Sequence, residues 1–299
     1  MRVAYFGTPD DAVPPLGALV AAGHEVALVV TQPDRRRGRG GATAPSPVRL
    51  AAEALGLPVR TPARATELTD ELTALGLDAG VVVAFGQLLA PAVLATARLG
   101  FVNLHFSLLP RWRGAAPVER AVLAGDAETG VCVMALDEGM DTGPVYARVA
   151  TPIGAREDAG TLRSRLVDLG TPLLVEVLAD LADRTPEPQS GEPVAAPKLT
   201  VGEFRLHFDD PVATLDRTVR AGTPRPGAWA ECDGRRIKIV RAEPADRAAD
   251  AAPGTVGADG CVCAADGCLR LVEVQPEGRP VMPAAAWLAG RRGAPTVLA

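Results

Sequence analysis

Short apolar runs, separated by Ala- and Leu-rich stretches with helical spacing, limit the possible folds of this chain more than any other feature. The runs occupy residues 3–6, 26–31, 80–84, 101–103, 131–136 and 145–153. Regular alternation of strands and helices is typical of βαβ units, which build a mostly parallel sheet. The sequence therefore predicts a Rossmann-like α/β domain over residues 1–183, which ends with a helix at 161–181.

A proline-rich stretch then interrupts this alternation. Residues 184–205 begin Arg-Thr-Pro-Glu-Pro-Gln-Ser-Gly-Glu-Pro, a composition typical of a linker. Beyond it, a helix at 211–220 precedes short β-type runs that are separated by Gly and Asp turns, at 237–240, 254–256, 261–264 and 269–274. This pattern favours a small OB-like β-barrel as a C-terminal domain over residues 206–299.

Composition excludes several classes of protein. A hydrophobic content of 47% in 299 residues excludes disorder as the overall state and suits two modest cores. The five cysteines are an odd number, which argues against a disulfide framework and favours a reducing compartment. The N-terminus is too acidic for a secretory signal, and no apolar run reaches the length of a membrane span. We therefore expect a cytoplasmic protein that contacts no membrane. A monomer is also expected, although no feature of the composition determines the oligomeric state.

Polar side chains follow the run at 101–103 and the run at 131–136. Asn103 and His105 are two residues apart on an extended chain, so they project to the same side. Residues 137–143 carry three acids, one of which is Asp141. In open α/β sheets ligands bind beyond the carboxyl ends of the strands. From spacing alone, these residues either form a transfer site that stabilises an oxyanion, or serve only capping and turn roles.

The motifs around these residues resemble those of the 10-formyltetrahydrofolate-dependent formyltransferases. Asn-x-His is followed by Ser-Leu-Leu-Pro at 107–110 and later by Asp-x-Gly-x-Asp-Thr-Gly at 137–143. Further segments are similar to the methionyl-tRNA formyltransferase family, namely Phe6-Gly7-Thr8-Pro9, Thr31-Gln32-Pro33-Asp34, Pro45-Ser46-Pro47-Val48, Ala196-Pro197-Lys198 and Pro226-Gly227-Ala228-Trp229. The resemblance covers almost the whole chain. It implies transfer of a formyl group from the cosubstrate 10-formyltetrahydrofolate to the amino group of methionyl initiator tRNA.

The resemblance also implies roles for individual residues. Asn103, His105 and Asp141 are expected to be catalytic, with the amide and a protonated imidazole stabilising an oxyanion. Asp141 is expected to orient the imidazole and, directly or through a water, to take the proton of the attacking amine. The folate pocket is expected to include Phe85, Gly86, Gln87, Leu88, Ser107, Leu108, Leu109 and Pro110. No metal is expected, because the amine attacks the formyl carbon directly.

Basic residues cluster in one segment of a chain whose net charge is −5. Residues 34–49 carry five arginines and one acid, and a basic segment rich in glycine suits contact with an RNA backbone. Taken alone, this charge is equally compatible with a solvated loop. The resemblance implies that both this segment and the C-terminal domain contact tRNA. The tRNA-binding residues it implies in the segment are Arg35, Arg36, Arg37 and Arg39.

Other interpretations stay open on the sequence. Cys261, Cys263 and Cys268 have no fourth nearby Cys or His, so their pattern does not predict a zinc site. A sugar or small-amine N-formyltransferase would keep the same catalytic residues without needing the basic segment, and would formylate small amines without tRNA. A catalytically inactive folate- or RNA-binding protein is a third interpretation, which a turnover assay distinguishes.

Overall fold

The computed structural model describes residues 1–36, 43–291 and 296–299. The helices in these ranges are α1 (Val13–Ala21), α2 (Pro47–Ala54), α3 (Thr69–Ala74), α4 (Pro91–Leu94), α5 (Pro117–Ala124), α6 (Ala159–Ala179), α7 (Val212–Gly222) and α8 (Ala284–Gly290). No helix in the described part of the chain is both long enough and apolar enough to cross a membrane.

The strands alternate with these helices in the first half of the chain and dominate its last third. In chain order they are β1 (Arg2–Gly7), β2 (Glu25–Val30), β3 (Arg35–Arg36), β4 (Thr43–Ala44), β5 (Val59–Arg60), β6 (Ala79–Val83), β7 (Phe101–His105), β8 (Arg113–Gly114), β9 (Glu128–Ala135), β10 (Val145–Pro152), β11 (Ala195–Ala196), β12 (Ala228–Cys232), β13 (Arg235–Ala245), β14 (Thr255–Val256), β15 (Cys261–Cys263), β16 (Cys268–Pro276), β17 (Met282–Pro283) and β18 (Thr296–Val297).

The chain divides into two compact units, and both are discontinuous in sequence. The first consists of Met1–Pro117, Glu128–Pro152 and Arg163–Pro197. The second consists of Val118–Ala127, Ile153–Leu162 and Lys198–Ala299. The division of the chain into domains at 1–183 and 206–299, with a linker at 184–205, stays a prediction.

The first unit contains a mixed, mostly parallel sheet, which confirms the fold predicted from the alternating apolar runs. The strand order is β10-β9-β7-β6-β1-β2-β5. Strands β5, β2, β1, β6 and β7 are parallel, whereas β9 and β10 are antiparallel at one edge. The chain first builds one side of β1 and then returns to build the other. The order therefore reverses between β1 and β6, the position at which open α/β sheets bind ligands.

Burial explains why the central strands are continuous apolar runs. Every residue of β6 and β7 is buried, and so is every residue of β1 after Arg2. Strands that are covered on both faces have no solvent-facing positions for polar residues. Three aromatic rings pack edge to face in this core, with Phe85 and Phe101 at 5.3 and 5.5 Å from the Phe6 centroid.

Strand β7 is longer than the predicted run at 101–103. It extends to His105, so His105 as well as Asn103 lies within the strand. The polar residues continue the ladder with β9, where Asn103 is opposite Met134 and His105 is opposite Cys132. Because the ladder fixes their backbone, the two side chains project rigidly from the same face of the strand.

The second unit is built on an antiparallel half-barrel, which confirms the β-rich C-terminal domain. Its strand order is β12-β13-β16-β15-β14-β18, with β17 paired to β16. Reciprocal backbone hydrogen bonds of 2.7 and 2.9 Å between Glu231 and Ala299 join its two edges. Helix α7 contributes Leu215 and Val219 to the core inside the curled sheet.

Candidate active site

A cavity of about 450 Å³ opens in the first unit at the carboxyl ends of β6 and β7. Its wall combines the loop after β6 with the end of β7 and the loop after β9. At its rim, the apolar side chains of Leu88 and Met140 are 60% and 55% exposed. Large apolar side chains that stay exposed on a concave wall are typical of a binding site for an apolar or aromatic ligand.

Asp141 connects the polar groups of the cavity. Its Oδ1 accepts a hydrogen bond of 3.3 Å from Asn103 Nδ2, and its Oδ2 accepts one of 2.8 Å from the Gly114 backbone N–H. The same Oδ2 lies 3.6 Å from His105 Nδ1. The structure therefore brings together the three residues predicted to be catalytic, although 38 positions of chain separate Asn103 on β7 from Asp141 in the loop after β9.

The imidazole of His105 is held by its other nitrogen. Nε2 lies 2.9 Å from the carbonyl oxygen of Trp112. A carbonyl oxygen only accepts, so Nε2 carries a proton and donates it to this bond. Nδ1 is therefore the nitrogen that faces Asp141. His105 is only 5% exposed, which keeps this orientation fixed.

The backbone around the cavity adopts unusual conformations. Among the described residues, four that are not glycine have positive φ, and Ala84, Trp112 and Asp141 are three of them, at 47°, 65° and 53°. Residues with a Cβ adopt this region at a cost of roughly 1–3 kcal/mol, and such conformations concentrate at functional sites. The conformation of Asp141 therefore has to be held by neighbouring contacts.

Gln189 supplies such contacts from far along the chain. Its Nε2 donates hydrogen bonds of 2.8 and 2.7 Å to the carbonyl oxygens of Asp141 and Gly143. Its Oε1 accepts hydrogen bonds from Arg113 Nε and Nη2, at 3.0 and 2.7 Å. All four bonding positions of this amide are thus directed at the loop that carries Asp141 and at β8. Sequence reasoning missed this role, because Gln189 lies in a proline-rich segment with linker composition.

Gly114 is required by the same network. Its φ is 124°, and a Cβ at this position would lie 2.8 Å from the carbonyl oxygen of Ala196. Strand β8 pairs with β11 here, with Gly114 opposite Ala196. Because a side chain would separate β8 from β11, only glycine allows the Gly114 N–H to reach Asp141 in this geometry.

The two segments predicted to bind folate differ in their position. Phe85, Gly86, Gln87 and Leu88 line the cavity. The amide of Gln87 bonds to the backbone at Ala65 N and Ala63 O, both at 3.1 Å, so it supports the wall from behind. Ser107, Leu108, Leu109 and Pro110 are not among the lining residues. Their contact with folate stays a prediction.

Ser107 and Cys132 lie close to the catalytic residues, but neither is arranged as a nucleophile. Ser107 is fully buried and donates its hydroxyl hydrogen to the Arg111 carbonyl at 2.6 Å. Cys132, opposite His105 on β9, is also buried, and this burial raises the pKa of its thiol. A thiol with a raised pKa remains protonated near neutral pH and reacts slowly. The site is therefore suited to direct transfer rather than to a covalent enzyme intermediate.

The basic segment is only partly described. Arg35 and Arg36 form β3, which pairs with Ala44 and Thr43 of β4. Arg37 and Arg39 lie outside the described residues. Arg49, which contributes to the local positive charge in the sequence, forms ion pairs of 2.9 Å with Asp34 and 2.8 Å with Glu53. Its charge is therefore balanced within the protein, and the basic character of this segment comes from residues 35–39.

Comparison with known proteins identifies relatives over the whole chain. The formyl transferase family profile matches residues 1–178, and the profile of the formyl transferase C-terminal domain matches residues 198–292. The methionyl-tRNA formyltransferase of Thermus thermophilus is 50% identical, and the match covers 99% of this chain and 98% of that protein. The methionyl-tRNA formyltransferase of Jannaschia sp. is 45% identical, with full coverage of both chains.

Solved structures share the fold at much lower identity. HypX from Aquifex aeolicus, in complex with tetrahydrofolic acid, has a TM-score of 0.70 at 17% identity; the match covers 98% of this chain and 48% of HypX. A second similar structure is the N-formyltransferase from Helicobacter canadensis in complex with folinic acid and dTDP-3-aminofucose, with a TM-score of 0.67 at 15% identity. The match covers 92% of this chain and 99% of the Helicobacter canadensis chain. At these identities the likeness establishes the fold alone.

Proposed function

The chain belongs to the methionyl-tRNA formyltransferase family, and we propose that Asn103, His105 and Asp141 catalyse the formyl transfer at the cavity of the first unit. The observation that carries the proposal is the Asp141 carboxylate. It contacts Asn103 at 3.3 Å and lies 3.6 Å from His105 on the cavity wall. An amide, an imidazole and a carboxylate in this arrangement supply the groups that transfer to an amine requires.

The reaction proceeds by direct attack of the amine. The neutral α-amino nitrogen of methionyl-tRNA forms a bond to the formyl carbon of 10-formyltetrahydrofolate, and the carbonyl electron pair moves to the formyl oxygen. The tetrahedral intermediate then breaks its bond to N10, which leaves with a proton as the attacking nitrogen loses one. Catalysis therefore requires stabilisation of an oxyanion and movement of a proton between two nitrogens.

Asn103 and His105 are the proposed oxyanion donors. Asn103 Nδ2 has two hydrogens, of which one is directed at Asp141, so the other serves the formyl oxygen. With Nε2 of His105 bound to the Trp112 carbonyl, its Nδ1 becomes a charge-assisted donor when protonated. Removal of a comparable oxyanion donor costs roughly 2.7–4 kcal/mol of transition-state stabilisation.

Asp141 is the proposed proton acceptor and organiser. Its Oδ2 is fixed by the Gly114 N–H at 2.8 Å and faces the imidazole, and its side chain is 14% exposed. Asp141 also lines the cavity, so the attacking amine or one water can reach its carboxylate. The carboxylate, directly or through that water, takes the proton that the amine releases.

The folate is proposed to occupy the cavity beside Phe85, Gly86 and Leu88. The formyl group would then lie next to the polar residues at the end of β7, while the exposed apolar rim at Leu88 and Met140 covers the aromatic part of the cosubstrate. The formyl donor is 10-formyltetrahydrofolate. This assignment rests on family membership and on the shape and lining of the cavity.

Arg35, Arg36, Arg37 and Arg39 are proposed to contact the tRNA. Within residues 34–49 the one acid, Asp34, pairs with Arg49, which also pairs with Glu53. The four remaining arginines therefore give the segment its excess of positive charge. Arginine forks suit phosphate oxygens and stack on exposed bases, as recognition of a single-stranded acceptor end requires. We place the reaction in the cytoplasm, where a reducing environment would keep all five cysteines out of disulfide bonds.

The test is incubation with 10-formyltetrahydrofolate and three tRNAs: charged initiator, uncharged initiator and charged elongator methionine tRNA. N-formylmethionine is expected on the charged initiator only. A parallel reaction with amino sugar nucleotides in place of tRNA separates the proposal from a sugar N-formyltransferase. Formylation of the sugar amine with no product on tRNA would contradict the proposal, and binding of both substrates without turnover would indicate an inactive binding protein.

A further inference from the structure

Three potential metal ligands meet in the second unit. Cys263 and Cys268 are directly opposite each other on β15 and β16, and Asp250 approaches them from the loop after β13. The two sulfurs and one carboxylate oxygen all lie within 4.8 Å of one another. The sequence places Cys261, Cys263 and Cys268 close together without a fourth nearby Cys or His, and of these only Cys263 and Cys268 belong to the cluster. The fold supplies a third ligand in Asp250, 13 residues before Cys263.

The distances between these atoms match a tetrahedral ion. Cys263 Sγ and Cys268 Sγ are 3.8 Å apart, and Cys263 Sγ is 3.6 Å from Asp250 Oδ1. Around zinc, with Zn–S near 2.3 Å and Zn–O near 2.0–2.2 Å, tetrahedral geometry places two sulfurs about 3.8 Å apart and a sulfur and an oxygen about 3.5 Å apart. The carbonyl oxygen of Ala248 lies 3.5 Å from Cys268 Sγ, which matches the sulfur–oxygen separation along one edge of such a tetrahedron.

The surroundings of the cluster suit a divalent cation. Arg247 binds the Oδ2 of Asp250, which leaves Oδ1 directed at Cys263. Arg247 is itself held by Asp259 at 2.9 Å. A hydrogen-bonded outer shell that orients the ligating carboxylate is a regular feature of metal sites. Two thiolates and a carboxylate carry three negative charges, of which a divalent ion would neutralise two, and Arg247 binds the carboxylate oxygen that the ion does not use.

We propose that Cys263, Cys268 and Asp250, with the Ala248 carbonyl as the fourth donor, form a structural zinc site. The two cysteines are 4% and 1% exposed, whereas Asp250 is exposed and gives the ion a route of entry. Binding releases the two thiol protons to solvent and fixes the loop around Asp250 to the β15–β16 hairpin. The site takes no part in the formyl-transfer chemistry proposed for the first unit.

The test is titration of the untagged, reduced full-length chain with Zn²⁺ after treatment with a chelator, in competition with a chromophoric zinc indicator. One equivalent is expected to bind tightly. X-ray absorption of the loaded protein should show two sulfurs at about 2.3 Å and oxygen ligands at about 2.0–2.2 Å. Replacing zinc by Co²⁺ should give thiolate-to-cobalt charge-transfer absorption together with the visible bands of a tetrahedral ion.

Matched variants separate this site from adventitious binding. Cys263→Ser should weaken zinc binding by more than the roughly 10–100-fold that loss of an outer-shell partner costs. Asp250→Asn, at an exposed position that tolerates change, should weaken binding at least about tenfold even if the cysteine variant does not fold. Cys232→Ser and Asp246→Asn are the controls, since neither belongs to the cluster. Absence of a tight equivalent, a metal shell without sulfur, or unchanged affinity in Asp250→Asn would overturn the proposal.

Discussion

Replacing Asp141 by Asn tests the catalytic proposal with the least structural disturbance. Asn has the same shape as Asp and, after glycine, is among the residues that most readily adopt the left-handed conformation found here, with φ of 53°. Its carbonyl oxygen can still accept the hydrogen bond from Gly114 N, which is 2.8 Å long in the wild-type protein. The variant therefore removes the negative charge and the hydrogen bond from Asn103 Nδ2, but it keeps the contact that fixes the loop to Gly114.

The size of the effect follows from the distance to His105. At 3.6 Å, with side chains only 6% and 14% exposed, the carboxylate and a protonated imidazole are weakly screened by solvent. Two unit charges at such a distance interact by roughly 4 kcal/mol at an effective dielectric constant near 20. Because each 1.4 kcal/mol corresponds to about tenfold in rate, and relaxation recovers part of the loss, turnover should fall by about 10²–10³-fold.

The assay is single-turnover formylation of methionyl initiator tRNA with saturating 10-formyltetrahydrofolate. Glu138→Gln is the matched control on the same loop, because Glu138 is exposed and is not among the residues that line the cavity. The control should retain near-wild-type turnover. If folded Asp141→Asn kept more than about a tenth of wild-type turnover, the charge of Asp141 would not be needed and the reasoning would be refuted.

The other catalytic residues, Gln189 and the basic segment can each be tested in the same assays. Asn103→Ala should lower turnover at least about a hundredfold. Because Asn103 and His105 act as one unit, the loss of turnover in the Asn103→Ala/His105→Ala double variant should be far smaller than the product of the two single losses. A loss equal to that product in single-turnover assays would contradict this. Gln189→Met removes both hydrogen-bond donors to the Asp141 loop, so kcat should fall by about 5–100-fold while the folate affinity measured by calorimetry stays unchanged. The surface control Gln275→Met should have wild-type kcat. A wild-type kcat in Gln189→Met would show that the loop keeps its conformation without Gln189. The last variant replaces Arg35, Arg36, Arg37 and Arg39 together and should weaken tRNA binding. The slope of the logarithm of tRNA affinity against the logarithm of salt concentration should become shallower by roughly 0.7–0.9 for each phosphate interaction that is removed. An unchanged slope would indicate a solvated segment.

The buried strands and the residues at their ends were predictable from local sequence. Continuous apolar runs at β1 and β6 reflect strands that are covered on both faces, and this burial leaves a direct trace in composition. The candidate catalytic residues Asn103, His105 and Asp141 could be predicted from the sequence for a related reason. They sit where an apolar run gives way to polar residues, and the surrounding motifs resemble those of a known family.

Pairings between distant segments were not predictable, because they depend on the path of the chain in space. Linker composition gave no indication that Gln189 would bond to the Asp141 and Gly143 carbonyls, 48 and 46 positions earlier. Charge counting assigned Arg49 to the basic segment, whereas the fold pairs it with Asp34 and Glu53. Glu53 is at the i,i+4 position of the same helix, a local spacing, whereas Asp34 is 15 positions before Arg49 and is brought to it by the fold.

Local sequence was sufficient to show which strands are buried and which polar groups stand at their ends, because hydrophobic periodicity records the environment of each residue. How those groups are held depends on the folded chain: the Trp112 carbonyl sets the tautomer of His105, and the fold brings Asp250 to 3.6 Å from Cys263. A hydrogen bond or a ligand set requires atoms to meet within a few tenths of an ångström. That condition is met by packing the whole chain, and no local pattern of residues encodes it.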